Sequence, residues 1–218
     1  MERRRVVVAD DHEITRKGIR SILEESGWEV VAEARDGREA VEKVKSLRPD
    51  VVVLDVSMPS LNGLEATRQM LRQDPQTRVL ILTMHQSDSL IHGVLKAGAR
   101  GYILKSDAGR DLVSALEAIR RNRTYFTASA AQIVLDGYLG EKPRTPGEKE
   151  SPASRLTSRQ REIVQLLAEG KSNKEVAVTL NLSVKTAETH RANIMRRLNC
   201  HCVSELVHYA IRNNIIVC

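Results

Sequence analysis

Five side chains that suit phosphoryl chemistry stand at or just after the ends of short apolar runs. They are three carboxylates, a hydroxyl and an ammonium: Asp10, Asp11, Asp55, Thr83 and Lys105. Clustered carboxylates repel one another, and a hard divalent cation such as Mg²⁺, bound through oxygen, relieves that repulsion. With the cation in place, Asp55 can act as a nucleophile towards phosphorus, because aspartyl phosphates are established covalent intermediates. Lys105 and Thr83 would then bind the phosphoryl oxygens.

The apolar runs that carry these residues alternate with amphipathic segments over residues 1 to about 121. Each of the five runs is followed by a segment of helical pattern: RVVVA, EVVAEA, VVVLD, RVLILT and GYILK. Repeated strand-helix units predict an α/β doubly wound domain with a five-stranded parallel sheet and helices on both faces. With the strand order 2-1-3-4-5, the first and third strands flank the crevice in which such sheets bind ligands. The five side chains would then converge at the carboxyl ends of the strands.

The pattern changes after this predicted sheet. An apolar pattern from Thr127 to Leu139 predicts one connecting helix, and GEKPRTPGEKESPAS, which is rich in proline and glycine, predicts a linker. We therefore predict a first domain over residues 1–124, a connecting helix and linker over 125–154, and a helical domain over 155–218.

The sequence from residue 155 onwards carries the start and stop signals of four short helices. Two pairs have the spacing of a capping box, and a glycine stands where the first helix would end: Thr157 with Gln160, Ser172 with Glu175, and Gly170. Two further helices are predicted to start at Ser183 and near Val203. These signals predict a compact all-α four-helix domain.

The net charge of +6 is concentrated in the C-terminal part of the chain. Lys and Arg outnumber Asp and Glu by 10 to 5 over residues 155–218, against 21 to 20 over residues 1–139. A basic module joined to a near-neutral one indicates an anionic partner for the C-terminal part.

Compartment and redox state are indicated by composition. No apolar stretch approaches the roughly 18 residues that span a bilayer, and MERRRVVVAD is not the pattern of a signal peptide. We therefore expect a cytoplasmic protein with no membrane partner. Cys200, Cys202 and Cys218 are expected to be reduced thiols, and the Cys200-His201-Cys202 segment lacks the second ligand pair that zinc would need.

The segment SVKTAETHRANIMRRLN predicts a helix with two faces. One stripe has the spacing of a buried face: Val184, Ala187, Ile194, Met195 and Leu198. The opposite face is small in the middle and cationic near its edges, with Lys185, Thr189, Ala192 and Arg196 flanked by Glu188 and Arg191. Such a face suits a DNA major groove about 12 Å wide. With the preceding NKEVAVTL and its short NLS turn, the segment predicts a helix-turn-helix that binds duplex DNA.

Two family resemblances cover most of the chain. DDHEITRKGI, VVVLDVSMPSLNGLE, VLILTMH and GYILKS together resemble the receiver domain of two-component response regulators, over residues 5 to about 122. LTSRQREIVQLLAEGKSNKEVAVTLNLSVKTAETHRANIMRRL resembles the LuxR-type (NarL/FixJ) DNA-binding domain, over about residues 155 to 214.

The first resemblance implies specific roles at the predicted crevice. Asp55 would accept a phosphoryl group from a sensor histidine kinase. Asp11, Asp55 and the backbone carbonyl of Ser57 would hold Mg²⁺, with Asp10 in support. The residues that bind the phosphoryl group or switch in response to it would be Thr83, Lys105 and Tyr102.

The second resemblance implies two kinds of DNA contact. Contacts with phosphates and groove edges would come from Lys185, Thr186, His190 and Arg191. Glu188, Thr189 and Ala192 would face bases, and Arg196 completes the exposed face. A glutamate would accept a hydrogen bond from cytosine N4, and Thr189 could touch a thymine methyl group.

Together these features predict a phosphorylation-controlled transcription factor that forms a homodimer when phosphorylated. Its own catalysis would be limited to Mg²⁺-dependent self-phosphorylation and autodephosphorylation. One alternative is a phosphatase with Asp55 as nucleophile, although Val56 and Ser57 supply no second carboxylate as general acid. Others are a protein-docking adaptor, in which the helical domain is a dimerisation or docking bundle, and a receiver that no longer responds to phosphate. The scarcity of aromatic residues argues against single-strand or RNA binding.

Overall fold

The structure is a computed structural model that describes residues 4–128, 130–133, 135 and 156–216. The chain divides into two compact units, residues 1–140 and 141–218. Each unit has its own apolar core. The predicted linker and the later part of the predicted connecting helix lie outside the described residues.

Strands and helices alternate through the first unit. The strands are β1 (Arg4–Ala9), β2 (Trp28–Ala34), β3 (Val51–Asp55), β4 (Val79–Thr83), β5 (Gly101–Leu104) and β6 (Tyr125–Phe126). The helices are α1 (Glu13–Glu25), α2 (Gly37–Leu47), α3 (Gly63–Gln73), α4 (Asp88–Ala97) and α5 (Ala108–Arg120). A 3-10 turn, Lys105–Asp107, joins β5 to α5, and helical residues follow β6 at 128, 130–133 and 135.

The strands form one parallel sheet in the order β2-β1-β3-β4-β5-β6. The predicted order 2-1-3-4-5 is confirmed for the first five strands, but the prediction of only five strands is wrong. The sixth, Tyr125–Phe126, pairs with Gly101 and Tyr102 of β5. It was missed because two residues are too few for an alternating pattern, and a left-handed residue, Asn122, turns the chain towards the sheet edge just before them.

The central strands are covered by helices on both faces, as near-continuous apolar runs require. Every residue of β3 and of β4 is buried. One side of the sheet packs against an apolar cluster that includes Ile19 and Leu23 of α1 and Leu112 and Leu116 of α5. This packing fixes the ends of the strands, and therefore the direction of the side chains that follow them.

The second unit is helical. Its helices are α6 (Ser158–Ala168), α7 (Asn173–Thr179), α8 (Val184–Leu198) and α9 (Val203–Arg212). Both predicted capping boxes are confirmed, at the starts of α6 and α7, and each satisfies backbone N–H groups that the first turn of a helix leaves free. Gly170 lies just past α6 with φ of 84°, a conformation that glycine adopts without strain.

The predicted buried stripe of α8 is only partly correct. Ala187 and Ile194 are buried, and Met195 and Leu198 are half-buried. Val184, however, is 40% exposed. Val184 is the first residue of the helix, next to the turn, and its side chain does not pack into the core. Helical periodicity alone therefore predicts the wrong burial for this residue.

Candidate functional site

The side chains predicted for phosphoryl chemistry lie at the carboxyl ends of four strands that are consecutive in the sheet. Asp10 and Asp11 follow β1, Asp55 ends β3, Thr83 ends β4 and Lys105 follows β5. Asp10 and Asp55 are 1% and 2% exposed, and Thr83 is fully buried. Buried carboxylates are costly unless they are paired or bind a cation. The cluster is therefore a site that needs positive charge.

Lys105 supplies one positive charge. Its Nζ lies 2.8 Å from Asp55 Oδ2 and 2.8 Å from Asp10 Oδ2. Its side chain is only 8% exposed, so water screens these two contacts weakly. The ammonium thus joins the ends of β1, β3 and β5 in one ion-pair network.

The pKa values of Asp55 and Lys105 are shifted by burial and by the neighbouring charges. Burial raises the pKa of Asp55 above its usual range, the nearby Asp10 carboxylate adds to the rise, and Lys105 opposes it. Burial also works to lower the pKa of Lys105, but hydrogen bonds to Asp10 and Asp55 outweigh it and raise that pKa. The ammonium therefore stays charged, and the carboxylates lack full compensation.

Part of the cluster is left for a further cation. Asp55 Oδ1 is buried and has no hydrogen-bond partner among the described residues. Ligand atoms of Asp10, Asp11, His12 and Asp55 all lie within 4.8 Å of one another. Carboxylate oxygens are the ligands that Mg²⁺ prefers, so the donor set fits that ion.

Thr83 and Tyr102 are both hydrogen-bonded to the backbone of His85. The Thr83 hydroxyl accepts a hydrogen bond from the backbone N–H of His85, at 3.2 Å. The Tyr102 hydroxyl donates to the carbonyl oxygen of the same residue, at 2.8 Å. Tyr102 is fully buried, and burial raises the pKa of its phenol to about 12, so the hydroxyl keeps its proton. Both side chains therefore hold the segment between β4 and α4.

The predicted DNA-contact residues all lie on α8. Lys185, Glu188, Thr189, Ala192 and Arg196 are exposed, and Thr186, His190 and Arg191 are half-buried. Glu188 lies 4.0 Å from Lys185, close enough for a weak surface ion pair.

Several polar groups of α8 are already bonded within the second unit. Ser183 caps the helix by accepting from the Thr186 N–H at 3.0 Å, and the two hydroxyls lie 2.8 Å apart. The Thr189 hydroxyl donates to the Lys185 carbonyl, at 2.9 Å. Arg191 reaches Asn173 of α7 at 3.4 Å. These bonds fix the start of α8 and link it to the preceding helix, as in a helix-turn-helix.

Comparison with known proteins matches both units. Residues 6–117 match the response regulator receiver domain, and residues 154–210 match the bacterial regulatory proteins of the luxR family. The oxygen regulatory protein NreC of Staphylococcus carnosus is 37% identical over 214 residues, which cover 97% of this chain and 99% of that protein. The chain belongs to the NarL/FixJ family of response regulators. It is a phosphorylation-regulated transcription factor.

Solved structures of other response regulators are similar to all or part of this chain. A LuxR-family regulator from Aurantimonas sp. SI85-9A1 is 38% identical, with a TM-score of 0.60, and covers 63% of this chain and 99% of its own. RcsB from Salmonella enterica serovar Typhimurium, solved bound to promoter rprA with the phosphomimetic BeF3-, is 27% identical. Its TM-score is 0.58, with coverage of 95% of this chain and 98% of its own.

Two residues of this response regulator that position the carboxylates escaped prediction. Gly63 starts α3, and a Cβ there would lie 2.1 Å from the backbone oxygen of Asp55, so a side chain would displace the end of β3. Arg16 of α1 is buried, donates to the Asp10 carbonyl at 2.8 Å and pairs with Glu33 at 2.8 Å. Arg16 could have been noticed as an arginine among the apolar positions of α1. No sequence pattern marks Gly63.

None of the helices in the described ranges of this response regulator is long and apolar enough to cross a membrane.

Proposed function

We propose that this response regulator accepts a phosphoryl group on Asp55 from a sensor histidine kinase and thereby controls binding of its α8 to duplex DNA. The observation that supports this most directly is the state of the Asp55 carboxylate. One of its oxygens is held by Lys105, and the other is buried without a hydrogen-bond partner in the described part of the chain. A rigid, incompletely compensated carboxylate of this kind is suited to act as a nucleophile.

The transfer step moves one phosphoryl group. A carboxylate oxygen of Asp55 forms a bond to phosphorus while the bond from phosphorus to the kinase's imidazole nitrogen breaks. The electron pair of that bond stays on the nitrogen. Asp10, Asp11, Asp55 and the Ser57 carbonyl would hold Mg²⁺, which neutralises charge on the phosphoryl oxygens. Lys105 already lies at the carboxylate and would bind a phosphoryl oxygen from its present place.

The response to phosphorylation would pass through His85. Thr83 and Tyr102 both bind the backbone of this residue, one through its N–H and one through its carbonyl. If the Thr83 hydroxyl turns to a phosphoryl oxygen, the His85 N–H loses this acceptor and the segment that leads into α4 loses its attachment to Thr83. The phosphoryl group therefore biases a two-state equilibrium of this surface.

DNA binding would use the exposed face of α8. Lys185 and Arg196 would neutralise phosphates, as would Arg191, and Glu188 would read a base. Phosphorylated protomers would pair, and a dimer would match half-sites about one helical turn apart. RcsB, a relative of similar architecture, has been solved as two dimers bound to two parallel DNAs. Because its target would be chromosomal DNA, the protein would act in the cytoplasm.

The proposal is tested by selecting bound fragments from a pool of genomic DNA. The wild-type chain and Asp55→Asn are each treated with a small phosphodonor and Mg²⁺ before selection. We expect an adduct of about 80 Da on the wild type alone, and stronger enrichment of a common sequence by the wild type. Identical selection by both proteins would remove Asp55 from the switch, and failure to enrich any sequence would remove the DNA target.

A second variant distinguishes loss of the nucleophile from loss of a carboxylate that would hold the cation. Asp11→Asn removes one carboxylate of the cation cluster and leaves the nucleophile in place. It should retain the fold but lose the phosphodonor adduct unless the Mg²⁺ concentration is raised. A phosphatase would instead turn over a small phosphate ester many times per protein molecule, and such turnover would contradict the proposed role.

A further inference from the structure

His12 lies inside the carboxylate cluster, although only aspartates and a backbone carbonyl were predicted to hold a cation there. Its Nδ1 is 2.8 Å from Asp11 Oδ1 and 3.5 Å from Asp10 Oδ1. It also belongs to the group of ligand atoms, including one of Asp55, that lie within 4.8 Å of one another. An imidazole nitrogen therefore faces the same small volume as three carboxylates.

The ring of His12 is turned towards the carboxylates, where it pairs with Asp11, and is not used to cap α1. His12 is the residue that precedes α1, where Ser, Thr, Asp or Asn usually caps the helix. Its side chain makes no capping hydrogen bond within the described residues. Its backbone N–H donates to Asp10 Oδ1 at 2.8 Å, which holds the residue against the cluster. The side chain is 68% exposed, so a cation can reach it from solvent.

The spacing of the atoms fits neighbouring ligands of one cation. Two ligands at right angles on an ion with bonds of about 2.1 Å lie about 3.0 Å apart. The two distances from His12 Nδ1, 2.8 and 3.5 Å, fall on either side of this value. Asp55 Oδ1, buried and without a hydrogen-bond partner in the described ranges, adds a further oxygen. The contact between Nδ1 and Asp11 needs a hydrogen on Nδ1. A cation bound to Nδ1 would displace that hydrogen, and the neutral ring would keep its other hydrogen on Nε2.

The nitrogen changes which ions the site prefers. Mg²⁺ takes oxygen ligands and gains little from an imidazole, whereas imidazole suits divalent transition metals. We propose that His12 adds a nitrogen ligand to this cluster, so that the site also takes a divalent transition-metal cation, Mn²⁺ or Co²⁺, more tightly than Mg²⁺. The inference rests on the proposed cation site beside Asp55 and extends it by one ligand and one class of ion.

The test uses Mn²⁺ and the full chain. Binding is followed by loss of the free Mn²⁺ signal in electron paramagnetic resonance, and pulsed spectra detect a directly bound ¹⁴N nucleus. Even the loss of an outer-shell partner typically weakens metal binding about 10- to 100-fold, and the loss of a direct ligand should cost no less. We therefore expect His12→Ala to weaken Mn²⁺ binding at least about tenfold and to abolish the ¹⁴N coupling. Mg²⁺ affinity, measured by competition, should change less than about twofold.

His208→Ala is the matched control, because His208 is an exposed histidine of α9 in the second unit. It should leave both the Mn²⁺ affinity and the ¹⁴N coupling unchanged. Coupling that persists in His12→Ala, or that is absent from the wild type, would overturn the inference. If Mg²⁺ binds and Asp55 gains the phosphoryl adduct while no ¹⁴N is detected, only the role of His12 fails. If no divalent cation binds and no adduct forms, the proposed function fails with it.

Discussion

Replacing Lys105 with methionine removes the ammonium that lies between two buried carboxylates. Nζ is 2.8 Å from an oxygen of Asp10 and 2.8 Å from an oxygen of Asp55. At an effective dielectric constant of about 20, each such contact is worth about 6 kcal/mol before desolvation is subtracted. Removing one partner of a buried ion pair costs about 3–5 kcal/mol, because the remaining charge is left uncompensated.

This loss is a large part of the stability of a domain, which is typically about 5–15 kcal/mol. Trp28, the chain's one tryptophan, lies buried in β2, so its fluorescence follows unfolding of the first unit. In urea at pH 7 without divalent cations, we expect the midpoint for Lys105→Met to fall by more than about 1 M, since m is about 1–3 kcal/mol/M. Mg²⁺ should restore part of the loss by supplying positive charge to the same carboxylates.

Two variants make this test specific. Lys17→Met removes an exposed ion pair with Glu13 that water screens, so its midpoint should barely move. Adding Asp10→Asn to Lys105→Met should recover stability, because it removes one of the uncompensated carboxylates. A change below about 0.5 kcal/mol for Lys105→Met would refute the reasoning.

Three further predictions concern the strand end, the DNA helix and the cysteines. Gly63→Ala should cost about 1–3 kcal/mol and slow phosphorylation of Asp55, because the added Cβ would overlap the end of β3; urea unfolding and adduct mass measure both. Lys185→Ala should weaken binding to all DNA with a shallower salt dependence, whereas Glu188→Ala should relax preference at one base pair; titrations with two DNA sequences at two salt concentrations distinguish them. Cys202 should be alkylated at pH 7 before Cys200, because a hydrogen bond with Ser204 lowers the pKa of the Cys202 thiol and burial raises that of Cys200; peptide mapping by mass identifies the site.

Each of these has a control and a contrary outcome. Gly18→Ala places a Cβ where no described atom outside the local backbone of α1 lies within 4 Å, so it should leave phosphorylation unchanged. Equal losses on all DNA for Glu188→Ala would contradict its role at a base. Since alkylation requires the thiolate, the rate at Cys202 should rise with pH below the pKa of its thiol. Equal alkylation rates at Cys202 and Cys200 would contradict the hydrogen bond between Cys202 and Ser204 at the start of α9.

The sequence was sufficient for the first five strands of the sheet and for the meeting of Asp10, Asp55 and Lys105. Long apolar runs identify buried parallel strands, and the carboxyl ends of such strands share one edge of the sheet. Residues that directly follow these strands therefore have little freedom in where they lie. The same logic placed the helix starts at Thr157 and Ser172, because a capping box satisfies backbone groups that have few other partners.

What the sequence did not predict lies where no periodicity applies. The ring of His12 could point to solvent or to the carboxylates, and only the loop geometry after β1 decides between them. The closeness of Gly63 to Asp55 depends on how the loop after β3 returns to the sheet. The exposure of Val184 depends on which turn of α8 first packs against the core of the second unit. In each case the answer comes from tertiary packing rather than from residue spacing.

The ion-pair network has a consequence for the newly made chain. Asp10, Asp55 and Lys105 are contributed by segments that leave the ribosome in that order, and Lys105 comes 50 residues after Asp55. Until Lys105 has emerged, no ammonium lies between the two aspartates. Until β5 has emerged, its pairing with β4 cannot form. Nascent fragments that stop before β5 would therefore lack the proposed phosphoacceptor site, and that site would form only once the first five strands have been made.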